Sequence, residues 1–132
     1  MKPEFLFSFV CEGIADIKNK KTYLGVAHYF SSPEYPATFE NYMFVSHWLL
    51  GTIESREIIK LLDQDGKIIS QINNPIPIKT DKIKTLERIL PMLPLNIKRP
   101  CRLTVEIFLD NEKIFSYPLV FGVGTDIQEN NK

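Results

Sequence analysis

The chain has 132 residues, 44% of them hydrophobic, and its 16 basic and 16 acidic side chains leave a formal net charge of zero. A chain of this length buries roughly two-thirds of its unfolded surface, enough for one domain with its own core. The composition excludes a fibrous or disordered chain, and the missing basic excess argues against a nucleic-acid partner.

Residues 4–12 form the first expected strand. Phe5, Phe7, Phe9 and Cys11 fall on one face, Leu6 and Val10 on the other. A strand with one wet face alternates, whereas a strand covered on both faces need not. Something therefore covers the outside of the N-terminal sheet. Met1-Lys2 ahead of an apolar run resembles the start of a secretion signal. Pro3 and Glu4 interrupt it, and Val10 stands where a small residue precedes cleavage, so the segment reads as strand. Lys18-Asn19-Lys20-Lys21 is a polar turn leading to a second strand over 22–30. Pro33 and Pro36 break the chain, and residues 42–50 form a third strand. There Tyr42, Phe44 and Trp48 share one face while Met43, Val45 and Leu49 share the other.

Residues 57–62 and 67–72 flank Asp63-Gln64-Asp65-Gly66, which suits a type I turn with Gly66 in the left-handed position. Read as a calcium loop, the same run would place Leu61 and Ile72 where oxygen ligands are required. The stretch 73–100 carries Pro75, Pro77, Pro91, Pro94 and Pro100. Within it, Ile83, Leu86, Ile89 and Leu90 have helical spacing, so a short amphipathic helix is predicted over 81–90. That helix is one candidate cover for the N-terminal sheet, and a second copy of the chain is the other. Residues 102–110 alternate cleanly and pair with 113–121 around Asn111-Glu112. Pro118 places part of the last strand at an edge or bulge. Residues 124–132 are expected to form a flexible polar tail. Seven strands and one short helix make a mainly β fold, an antiparallel β-sandwich forming a single domain over 1–132.

Candidate chemistry is sparse. His28, His47, Cys11 and Cys101 are the soft metal donors, and no two stand at short spacing, so no metal or cofactor is expected. Cys11 with His28 or His47 is the one nucleophile–base combination present, and Cys11 lies in an apolar strand with no cationic neighbour, the setting of an inert thiol. The carboxylate pairs Glu54–Glu57 and Asp63–Asp65 are of a kind common in surface loops. No phosphate-cradling glycine loop, nucleophile elbow or dinucleotide fingerprint occurs, and the chain reads as non-enzymatic. The aromatic residues between Tyr29 and Trp48 are the remaining lead. Tyr35, Phe39 and Trp48 are the candidate binding residues, for a sugar or another small ligand.

The order of features is also familiar. Val10-Cys11-Glu12 leads to Leu24-Gly25-Val26, then to the Pro33–Pro36 loop, the Asp65-Gly66 hairpin, the Leu-Pro segment at 91–95 and a closing Pro118-Leu119. Over roughly residues 4–122 this resembles a widespread family of small bacterial and phage-associated proteins that form a domain of unknown function. The resemblance implies a β-sandwich with no assigned catalytic residue or ligand. The sequence thus leads to a cytoplasmic module with reduced cysteines and no membrane span, working by contact with a protein partner or as a homodimer. Small-ligand binding is the alternative.

Overall fold

A computed structural model describes residues 1–124. Among them lie twelve strands and no helix: β1 (Glu4–Cys11), β2 (Gly13–Ile17), β3 (Lys20–Leu24), β4 (Tyr29–Ser32), β5 (Ala37–Phe39), β6 (Met43–Leu49), β7 (Ser55–Leu62), β8 (Ile68–Ile76), β9 (Thr85–Pro91), β10 (Leu95–Ile97), β11 (Cys101–Leu109) and β12 (Glu112–Val123). Two sheets dominate, one of three strands in the order β1-β6-β9 and one of five in the order β4-β12-β11-β7-β8. The pairs β2–β3 and β5–β10 form two small ribbons. All pairings are antiparallel except β4 on β12. The expected tail lies, from residue 125 on, outside the described residues.

The large sheets face each other across a common core. Phe44 and Trp48 of β6 and Val10 of β1 meet Ile59 and Leu61 of β7, Leu103, Val105 and Ile107 of β11, and Leu119 and Phe121 of β12. Polar groups cross the same interior. Ser8 and Tyr117 share a hydrogen bond of 3.1 Å, and burial pushes the Tyr117 hydroxyl up to about 12. Glu57 is fully buried on β7. It accepts a hydrogen bond from Trp48 Nε1 at 2.7 Å and pairs with Arg88 Nε of β9 at 2.9 Å. A buried carboxylate is tolerated only when paired in this way. This triad therefore ties the two sheets together.

The expected count of seven strands is too low, since twelve lie among the described residues, and three further expectations need correction. Residues 81–90 form no helix; Thr85–Pro91 is a strand along the edge of β6. Leu86, Arg88 and Leu90 lie opposite Trp48, Ser46 and Phe44, so they face the core with a period of two. Leu86 and Leu90 are four residues apart, a spacing that fits both periods. The unpaired edge of β6 decides for the strand, because its backbone groups need partners. The second strand is in truth two, split at Gly25, whose φ is +64°. The positive φ favours glycine, and a Cβ there would in addition lie 2.7 Å from the Glu12 carboxylate, whose side chain would have to swing aside. Before the split the chain pairs with β2; after it, β4 joins the five-stranded sheet. The third correction concerns β1. Its register slips between Phe5 and Phe7, making Leu6 a bulge. Phe5 therefore faces the core with Ser8 and Val10, packing edge-on against Trp48 at 5.4 Å. Phe7, Phe9 and Cys11 face outward.

The turn expected at Asp63–Gly66 is found. Asp63 Oδ1 accepts from the Asp65 and Lys67 amides at 2.9 Å, and Gly66 takes φ +83°. The run is a turn. The last hairpin turns through Asp110-Asn111, one residue earlier than expected. Pro118 lies where β12 has β11 on one side and β4 has not yet begun on the other.

Candidate functional site: a hairpin over an aromatic sheet face

The outer face of the three-stranded sheet carries Phe7, Phe9 and Cys11 from β1, Met43, Val45, His47 and Leu49 from β6, and Glu87 and Ile89 from β9. The cover expected from residues 81–90 is not there, because most of that segment belongs to β9 of the same sheet. What lies over the face is the β2–β3 hairpin from the same chain. Lys18 and Asn19 at its tip have φ of +52° and +62°, the turn that closes a two-residue hairpin with the right twist. At its base the Glu12 amide donates to the Leu24 carbonyl and the Ala27 amide to the Val10 carbonyl, both at 2.9 Å. Beyond those bonds β1 turns into β2, and the ribbon folds over the sheet.

Side chains of β3 close the cover. The Tyr23 ring meets Phe9 edge-on at 4.8 Å. Its hydroxyl lies 2.6 Å from His47 Nε2 and donates a short hydrogen bond to Glu87 Oε2. Lys21 Nζ reaches Glu87 Oε1 at 2.7 Å, and His47 Nε2 lies 2.9 Å from Glu87 Oε2. Since the hydroxyl proton goes to Glu87, Nε2 of His47 must carry a proton to meet both oxygens. Phe7 stacks on the His47 ring at 4.3 Å and beside Phe9 at 5.8 Å. Burial first, and then the Glu87 contact, pushes the Tyr23 hydroxyl well above its ordinary value. Burial alone would raise the Glu87 carboxyl; hydrogen bonds from Lys21 and Tyr23 outweigh it and hold the group below its ordinary value. Lys21 is raised in turn by its bond to Glu87. The four groups form a polar latch in which a carboxylate gathers every available donor.

Under the latch Val45 and Cys11 are fully buried, although both face away from the main core. Burial raises the Cys11 thiol, which therefore stays protonated at neutral pH. Around the covered centre the face stays partly open: Phe7 is 41% exposed, Ile89 40% and Leu49 38%, with the Leu6 bulge exposed beside them.

The residues singled out from sequence do not gather here. Trp48 is 0% exposed, with its indole N–H spent on Glu57. Phe39 is buried against Phe30 and Phe121. Tyr35 is half-buried, 6.4 Å from the Phe39 ring, and its hydroxyl donates to the Gly122 carbonyl at 2.6 Å. These rings pack into the core rather than forming a shared open platform. His28 is exposed, while His47 serves the latch, and no three metal-ligating side chains cluster among the described residues. Glu54 is exposed and Glu57 buried, so that pair does not act together. Lys21, Tyr23 and Glu87 were not marked by sequence reasoning. The only local signal was Lys21 and Tyr23 at period two on one face of the short strand.

Among the described residues no helix is long and apolar enough to cross a membrane. A family model described as a family of unknown function, DUF6941, matches residues 6–121, which is most of the chain. No curated protein matches it.

Proposed function

The chain belongs to that family of unknown function, and on this footing we propose that it is a non-catalytic β-sandwich module that works through protein contact, self-association included. The observation that carries this reading is the half-open aromatic strip on the outer face of the three-stranded sheet. Phe7, Ile89 and Leu49 keep more than a third of their surface in water there, beside an exposed Leu6. A cluster of large apolar groups on one face of a small domain marks an interaction site. The zero net charge sets no long-range repulsion against a second copy. Two free cysteines suit a reducing compartment, which supports a cytoplasmic setting. A protonated, covered Cys11 supports the non-catalytic reading.

The test is a photo-cross-linking amino acid at position 7, introduced in the native host and in the purified protein. Protein adducts from position 7, lost when Ile89 is changed to Lys, are the expected result. Light scattering from micromolar to millimolar concentration shows whether the partner is a second copy. No protein adduct in the host, together with a strict monomer at every concentration, overturns the reading.

A further inference from the structure

We infer that the β2–β3 hairpin is a releasable cover, opening as a unit to expose Cys11, Val45 and Phe9 while both large sheets stay folded. This concerns regulation of the contact face just described and rests on that reading for its biological meaning, though not for its test.

Three features of the molecule support it. The hairpin is held mainly by polar contacts. Its Lys21 and Tyr23 bond to Glu87 and His47; its apolar contribution is the Tyr23 ring on Phe9 and a half-buried Ile14, while Ile17 and Leu24 are exposed. Polar attachments at a partly wet surface are individually weak and can be exchanged for water or for a partner's groups. The base is a natural hinge. The ladder bonds at Glu12–Leu24 and Val10–Ala27 flank Gly25, which holds φ +64°. A short two-stranded ribbon has no stability of its own, so its docking equilibrium sits at the low end of the molecule's local stabilities. The surface beneath is complete without the hairpin. The mutual pairing of β1, β6 and β9 and their inner-face packing involve no residue of β2 or β3.

Cys11 reports the opening directly, because it is fully buried beneath the ribbon. The experiment measures alkylation of Cys11 in a Cys101→Ser background, at neutral pH and in native conditions. Opening of the ribbon alone predicts slow labelling whose rate is unchanged by Leu103→Ala, a core variant that destabilises the whole fold. Glu87→Gln removes the carboxylate that gathers Lys21 and Tyr23, and it should speed labelling by about tenfold or more. Circular dichroism and Trp48 fluorescence should stay unchanged in that variant. Labelling that rises with Leu103→Ala and ignores Glu87→Gln would show that Cys11 reacts only on global unfolding, and the inference falls. If Glu87→Gln fails to fold, Lys21→Met provides the same comparison from the hairpin side. A positive labelling result with no cross-linking at position 7 leaves the cover standing and removes the contact reading; the opposite pattern does the reverse.

Discussion

On the outside of the five-stranded sheet, Lys60 lies over the Phe108 ring at 4.3 Å and Lys113 pairs with Glu106 at 3.2 Å. On the outside of the three-stranded sheet, Phe7 stacks on His47 and a hairpin lies over Val45 and Cys11. The two sheets share one core and obey one pleat, yet one needs only water on its far side and the other needs a third layer. The strand sequences already differ accordingly. β11 sends Thr104, Glu106 and a Phe108 capped by Lys60 outward, and β1 sends Phe7, Phe9 and Cys11. An apolar outer row therefore signals an extra layer from the same chain before it signals a partner, and a partner is needed only for what that layer leaves open.

Disturbing the interior common to both faces should have the largest effect. Arg88→Met leaves the buried Glu57 carboxylate without its cation, a loss of about 3–5 kcal/mol. A urea melt followed by Trp48 fluorescence measures it, and both faces should be lost in one transition. A loss below about 1 kcal/mol would mean that the triad does not join the sheets.

The contrast itself is tested by paired truncations. Val45→Ala removes two methyl groups buried on the hairpin side and should cost about 1.5 kcal/mol. Thr104→Ala, on the open side, should stay within about 0.5 kcal/mol. Equal costs would erase the distinction between a covered and a wet face.

Acid should act on one face only. Folding lowers the Glu87 carboxyl below its ordinary value of 4.5. Such a group stabilises the fold above its unfolded value and loses that contribution as pH falls through the folded one. Below about 4.5 the resonances of Lys21, Tyr23 and His47 should therefore shift together, while Ile107 and Leu119 in the shared core stay unmoved. Uniform movement across the molecule would show that acid unfolds it as a whole. The smallest effect belongs to Glu106→Gln. Its partner Lys113 is half-exposed, so thermal denaturation should register under about 0.5 kcal/mol.

Parts of this fold governed by nearby residues could be read in the sequence. The turn at Asp63–Gly66 follows from side-chain and glycine chemistry within four residues, and β11 from unbroken alternation. The Leu6 bulge could not be read, because an inserted residue reverses which face follows while leaving composition unchanged. β9 was hidden because the spacing of Leu86 and Leu90 serves two periods, and only the distant edge of β6 chooses between them. The latch was hidden for a related reason. Tyr23 is separated from His47 by 24 residues and from Glu87 by 64, and a bond across such gaps leaves no local pattern. Trp48 shows the converse: a large ring on a two-sided strand announced a site, and its indole is a structural donor to Glu57.

The hinge at Gly25 also bears on how the chain can vary. The polar contacts that hold the ribbon down come from Lys21, Tyr23 and the base, and the turn from Ile17 to Lys20 is exposed. Loop insertions far from packed surfaces carry only a slowly growing entropic cost. The tip is therefore the place where added or removed residues would disturb the fold beneath least.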